Sequence, residues 1–269
     1  MNGAGVYLYC LTPASHIDRA WAGGDLPTLL GPVCGEILGG LGAVVSPVMD
    51  LAEWNDDTHL NSPDWVTPRA LHHARVVEHM WHQAPVYPAG FGTLFTSRDS
   101  LKKLIDRHKS ALEDFFDATA GMAEWGIKVF FDPQRAEERW MEERLQQEAA
   151  MLAALPAGRR YLAEQRLRRE CRGDLAARLE AVCQRLAEQL TRQAGGFRAR
   201  PLPAAEDPAR RPLGHWAVLW SQRQGSVLEE FLEVEAAAHA AAGIELQWSG
   251  PWPPYSFRPA LEANARSPS

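Results

Sequence analysis

The sequence predicts an α+β protein of two domains, and three observations carry that expectation. Residues 1–122 hold 8 Lys+Arg against 14 Asp+Glu, a net of −6, whereas residues 123–269 hold 20 against 20. Gly121 sits where a helical pattern gives way to a strand pattern. Beyond it, residues 123–250 read β-α-β-β-α-β, the order of a ferredoxin-like domain, here with a long, broken first helix. The expected domains are 1–122, α+β with no strand order assigned, and 123–257, closed by the segment Gly250–Phe257. Residues 258–269 are expected to form a flexible tail.

Bulk properties narrow the function classes. Of 269 residues, 46% are hydrophobic and 23% charged, which is globular composition. A net charge of −6 argues against nucleic acid as a partner, because that binding rests on neutralising phosphates. No apolar run approaches the ~18 residues of a membrane span. Met1–Gly5 carries no basic leader region, so a cytoplasmic location is expected. Cys10, Cys34, Cys171 and Cys183 show no C-x-x-C spacing and read as reduced thiols.

The elements follow from periodicity and punctuation. Val6–Leu11 is an apolar run stopped by Thr12-Pro13, and reads as a buried strand. Val33–Leu38 and Ala43–Val48 are two more strands around Gly39-Gly40-Leu41-Gly42. An acidic, Trp-containing connection runs from Asp50 to Trp65. Thr67-Pro68 reads as an N-cap with Pro at N1, opening a helix to about Gln83. Its expected apolar stripe is Ala70, Ala74, Val77 and Trp81. A helix from Ser97 carries Leu101, Leu104, Ile105, Leu112, Phe115 and Phe116 at helical spacing. In the second part, Glu124–Phe131 is a strand and Asp132-Pro133 caps the next helix. The helical region runs to about Gln193 with a break at Pro156-Ala157-Gly158. Gly195–Arg200, His215–Ser221 and Ile244–Trp248 are strands. Pro201–Pro212 reads as a mobile linker, and Ser226-Val227-Leu228-Glu229 as a capping box.

Three places could carry chemistry. His72, His73, His79 and His82 share one helix, and His79/His82 have the spacing of metal ligands. His72 and His79 lie opposite the expected stripe, however, so a solvated polar face explains them without a metal. Gly90 and Gly92 precede a helix, but the Gly-Lys-Ser/Thr of a phosphate loop is missing, and a tight turn is the simpler reading. Phe91, Leu94 and Phe95 are then core or interface side chains. Finally, the prolines of Gly250–Phe257 fix an extended backbone that presents Trp252, Tyr255 and Phe257. That segment reads either as a staple across its own protein or as a partner-binding strip. No G-x-S-x-G or H-E-x-x-H is present, so neither catalytic nor metal-ligating residues are assigned.

Several segments, in this order, resemble one family. Val6-Tyr7-Leu8-Tyr9 looks like its opening strand, and Ala70–Glu78 like its first helix segment. Pro85-Val86-Tyr87-Pro88 with Phe91-Gly92-Thr93-Leu94-Phe95 is similar to its P-V-x-P-x-x-F-G-T-x-F motif. Glu124-Trp125-Gly126-Ile127-Lys128-Val129 is similar to its E-W-G-V-K-V strand. Gly158, Tyr161 and Leu162 fit a G-x-x-Y-L element, and Gly250–Phe257 its closing signature. The family is the gas vesicle accessory proteins of the GvpF/GvpL type, and the resemblance spans residues 5–257. It implies a two-domain α+β protein with a ferredoxin-like C-terminal domain and no cofactor. It also implies a non-enzymatic role in the cytoplasm, associated with gas vesicles, with the small hydrophobic shell protein and other accessory proteins as partners. Phe91, Phe95, Trp252, Tyr255 and Phe257 are the candidate partner-binding residues. The competing readings are a ligand-binding ferredoxin-like regulatory module and a metal-dependent enzyme built on the His72/His79/His82 helix. The linker 201–212 and the tail after Phe257 depart from the family pattern.

Overall fold

The structure is a computed structural model and describes residues 4–17 and 29–261. It divides into two compact units: residues up to Ala123 together with those from Trp252, and Glu124–Pro251. From sequence the second domain closes at Phe257; in the structure the chain from Trp252 onward belongs with the first unit, because its side chains pack there.

The first unit is built on one sheet. Strand β1 (Gly5–Pro13) lies beside β3 (Leu41–Val48), which pairs in turn with β2 (Cys34–Leu38). The short strands β4 (Tyr87–Pro88) and β5 (Leu94–Phe95) pair with the other edge of β1. All of these pairings are antiparallel. The β2–β3 hairpin turns in two residues, Gly39 and Gly40, with φ of 59° and 79°. Two successive positive φ values match the right-handed twist of the strands, and glycine adopts them without a Cβ penalty.

Successive residues of β1 point to opposite sides of the sheet. Val6, Leu8 and Leu11 join Ala43, Val45, Leu101, Ile105, Leu112, Phe115 and Phe116 in an apolar core. The last five come from helix α3 (Arg98–Thr119), where the sequence placed its apolar stripe. Ser97 caps that helix by accepting from the Ser100 amide, and the Ser100 hydroxyl accepts from the Ser97 amide. On the opposite side of β1, Tyr7 and Tyr9 face helix α2.

Ahead of α2 in the chain comes the short, exposed helix α1 (Asp57–Leu60), capped by Asp56. Helix α2 (Pro63–Trp81) starts behind Ser62, one turn before the expected Thr67-Pro68 start. Ser62-Pro63 supplies the same opening chemistry, and Pro68 sits inside, at the cost of one helical N–H bond. The longer helix is offset by what its first turns hold. The Trp65 indole donates to Glu53 at 3.0 Å, and Arg69 donates to the same carboxylate at 3.1 Å.

In the second unit, β6 (Met122–Phe131), β7 (Gly196–Ala199), β8 (Arg211–Ser221) and β9 (Ile244–Trp252) form a sheet in the order β7-β8-β6-β9. Asp132 caps α4 (Pro133–Gln147), accepting from the Gln134 and Arg135 amides, with Pro133 at N1 as expected. After the short α5 (Ala149–Ala153) and a break at Pro156, α6 (Ala157–Gln193) runs 37 residues, about 55 Å at 1.5 Å per residue. It buries Leu179, Val182, Leu186 and Leu190. Its first ten residues bury no side chain. Helix α7 (Gly225–Ala240) starts behind Gln224 with no side-chain cap, so the Ser226–Glu229 capping box does not form. The expected linker is partly strand: Arg211 and Pro212 open β8, and Arg210 holds Glu245 at 2.8 Å while its guanidinium lies 3.9 Å from the Phe130 ring centre. Gly250 lies against Trp125, where a Cβ would come within 2.8 Å of the indole. The four cysteines are free thiols.

Candidate functional site

The most heavily functionalised part of the structure is the layer between β1 and α2. Helix α2 turns His72, His73, Val76, Val77, Met80 and Trp81 inward, and Ala74 outward. The expected stripe is therefore corrected by rotation about the helix axis: His72 and His73, each 3% exposed, sit on the buried face. The physical reason is the tyrosine pair on β1, which offers hydroxyls that imidazoles satisfy and aliphatic chains do not.

The network assigns its protons. His73 Nε2 lies 3.2 Å from the Ala89 carbonyl, which only accepts, so Nε2 carries the proton. Nδ1 then accepts from the Tyr7 hydroxyl at 2.8 Å, and the Tyr7 oxygen accepts from the Gly92 amide at 3.1 Å. In the second pair, Ser46 donates to the Pro32 carbonyl at 3.1 Å. For both of Tyr9's contacts to be hydrogen bonds, Tyr9 donates to Ser46 at 3.1 Å and accepts from His72 Nε2 at 2.9 Å. His72 Nδ1 is left as a buried lone pair without a partner. An unpaired acceptor costs less than an unpaired N–H.

Burial moves every one of these groups toward its neutral form. Desolvation pushes the Tyr7 hydroxyl up and the Tyr9 hydroxyl up to about 12. It pulls the His73 imidazole down to about 4, and the His72 imidazole down as well. A general acid–base pair near neutral pH needs the opposite: pKa values close to that pH and access for a substrate. The layer is a polar core, hydrogen-bonded except at His72 Nδ1.

From this layer a series of rings leads outward. Tyr7 touches Trp54 at 5.1 Å between ring centres; Trp54 touches Trp65 at 5.0 Å and Phe91 at 5.7 Å. His59 stacks on Trp65 at 5.4 Å with 4° between planes, and the Arg69 guanidinium lies 4.1 Å from the Trp65 ring centre. Phe91 ends the series, 37% exposed and edge-on to His73. It stands at the tip of the tight turn that the glycines were expected to make: the Thr93 amide donates to the Gly90 carbonyl, and Gly92 has φ 79°.

The remaining sequence candidates separate by burial. Phe95 and Phe257 pack on the apolar core of the first unit, and Tyr255 is half-buried. Arg258 donates to the Pro88 and Tyr255 carbonyls at 2.7 and 2.9 Å, and Tyr87 donates to the Pro259 carbonyl at 3.4 Å. The segment after Trp252 is a staple on its own unit, as the first of its two readings has it. Trp252 itself is 49% exposed. The helix histidines do not converge: His72 engages Tyr9, His79 contacts Gln83 at 2.9 Å, and His82 is exposed beside Glu78. Among the described residues, no three His, Cys, Asp or Glu side chains group as metal ligands. Sequence reasoning missed Tyr7, Tyr9, Ser46, Trp54 and Trp65 as parts of one layer. The available signal was Tyr-x-Tyr on an apolar strand together with adjacent histidines on a helix.

Comparison with known proteins places this architecture. Gas vesicle protein L of Streptomyces sp. (strain CB03234) is 28% identical over 238 residues, covering 87% of this chain and 84% of that one. Gas vesicle protein L2 of Halobacterium salinarum (strain ATCC 700922 / JCM 11081 / NRC-1) is 28% identical over 272 residues, covering 96% and 92%. In fold, the chain is similar to the crystal structures of gas vesicle protein GvpF from Microcystis aeruginosa, with TM-score 0.62, 20% identity and coverage of 95% and 99%. It is also similar to GvpF from Anabaena sp. PCC7120, with TM-score 0.65, 18% identity and coverage of 96% and 100%. The family model for gas vesicle synthesis protein GvpL/GvpF matches residues 5–259, and the chain belongs to that family.

Proposed function

We propose that this protein is a non-enzymatic gas vesicle accessory protein that binds the small hydrophobic shell protein, and other accessory proteins, during vesicle formation. Family membership supports the accessory role. The observation that carries the binding reading is the ring series ending at Phe91. Trp54 and His73 hold that side chain in place, so covering it costs little conformational entropy. A shell protein with a water-excluding face needs apolar cover to avoid wrong self-association, and a fixed aromatic offers it. Trp252 is the second exposed aromatic of the same reading. Phe95, Tyr255 and Phe257, each half-buried, are the further partner-binding candidates of this reading.

Within this reading the protein works in the cytoplasm, associated with gas vesicles, as two domains, the second, Glu124–Pro251, being ferredoxin-like. The β7-β8-β6-β9 order supports that last point. Numbered within the domain it is 2-3-1-4, with the first and third strands central. Among the described residues, no helix is long and apolar enough to cross a membrane.

The test is copurification of tagged protein with the shell protein, repeated with Phe91→Ala and Trp252→Ala. Capture of the shell protein by the wild type, reduced in either variant, supports the reading. Absence of capture, together with normal vesicles in a deletion strain, refutes it.

A further inference from the structure

Two exposed surfaces of opposite charge have no role in the reading above. The first is the free end of α6. Residues 157–172 carry six arginines against two glutamates, a net of +4 in a chain whose total is −6. On a helix, residues seven apart share a face, so Tyr161 and Arg168 lie in line, as do Leu162 and Arg169. Tyr161 is 61% exposed and Leu162 67%. Arg159, Arg168 and Arg169 are exposed and make no ion pair among the described residues. Arg172, by contrast, is bound to Glu137 on α4 and Arg166 to Glu170. The helix thus presents two large apolar side chains beside the uncompensated charges of Arg159, Arg168 and Arg169, with Glu164, among the described residues, as the one acid on that stretch not held by an arginine.

The second surface is the start of α1 and α2. Between Asp50 and Pro68 there are five acidic residues and no Lys or Arg. Glu53 is taken by Arg69, and Asp56 is engaged as the α1 cap. Asp57 and Asp64 are exposed and without an ion pair among the described residues. Leu60 lies one turn from Asp57, and Leu71 lies seven residues beyond Asp64 on the same face of α2; both are exposed. This surface answers the first with mostly opposite charge: two exposed leucines beside free carboxylates, with Arg75 one turn beyond Leu71.

We propose that the free end of α6 docks on the Asp57–Leu60–Asp64–Leu71 surface of a second copy of this chain. Arg168 and Arg169 meet the carboxylates, and Tyr161 and Leu162 meet the leucines. Each copy then uses one surface of each kind, so the contact is head-to-tail and grows into rings or filaments. Opposite charges set the register and speed encounter, and the apolar pairs supply cover from water. The inference is independent of shell-protein binding and stands or falls separately from it.

Sedimentation velocity on the full chain tests it. Concentration-dependent association is expected at low salt, with the dissociation constant rising about tenfold or more at high salt as the charges are screened. Arg168→Glu with Arg169→Glu should leave the protein monomeric, and so should Asp57→Lys with Asp64→Lys. An equimolar mixture of the two double variants should associate again, because each reversed surface then finds its complement. Thermal melting of each variant confirms folding, and Tyr161→Ser with Leu162→Ser tests the apolar half without altering charge. A wild type that stays monomeric at every concentration at low salt would overturn the proposal. So would association that survives either charge reversal, or a mixture that fails to associate.

Discussion

The two faces of the first sheet bury comparable numbers of large side chains by different chemistry. Toward α3 the filling is aliphatic and aromatic carbon, and any similar shape would serve. Toward α2 the filling includes two tyrosine hydroxyls, two imidazoles and a serine, and each must meet a particular partner at a particular distance. The first face is stabilised by area; the second is specified by geometry. A polar layer of this kind gains little net energy from each hydrogen bond, but it loses a full desolvation penalty when one partner is removed. The contrast shows how one sheet separates two tasks, adhesion on one side and register on the other.

The contrast can be broken from the apolar side first. Leu112→Ala removes a fully buried side chain from the α3 face and should cost about 3 kcal/mol, read as a fall in the denaturant midpoint at unchanged slope. The polar side responds to pH instead. His73 has its pKa lowered from 6.5 to about 4 in the folded protein, so the unfolded chain takes up the proton first as pH falls. Stability is therefore intact above about pH 6.5, drains between 6.5 and 4, and reaches its full loss below 4. The loss is about 3 kcal/mol at most. Melting temperature against pH measures it, and His73→Gln, which does not titrate, should flatten that limb.

Smaller changes sharpen the distinction. Tyr9→Phe keeps the ring but leaves Ser46 and His72 without their shared partner. About 1–2 kcal/mol should be lost, with the pH limb of His73 retained. On the rim of the apolar face, Arg98 and Glu36 join α3 to β2 through three hydrogen bonds from an exposed guanidinium. Arg98→Ala should cost less than about 1 kcal/mol and the difference should shrink in salt, seen as convergence of the two melting curves.

Legibility in the sequence divides along the same line. The α3 stripe, the β1–β3 strands and the Asp132-Pro133 start are readable because carbon periodicity and capping chemistry are local. The rotation of α2 is not, since a histidine counts as polar until its partner is known, and Tyr7 and Tyr9 lie more than sixty residues away. The early start of α2 was hidden by two proline-led openings of equal local merit, separated only by what Trp65 and Arg69 find on Glu53. Likewise, Phe91 and Trp252 are no different from Phe95 and Phe257 as letters. Only packing decides which of the four reaches solvent.

The 37-residue helix has one more consequence. A segment that contributes nothing to any core is free of the constraint that ties most positions to foldability. Substitutions over its first ten residues, Arg160 with its bond to the Leu152 carbonyl excepted, should leave melting behaviour almost untouched while altering whatever touches them. Recognition at that end can therefore be retuned in small steps, with the rest of the molecule serving as an unchanging handle.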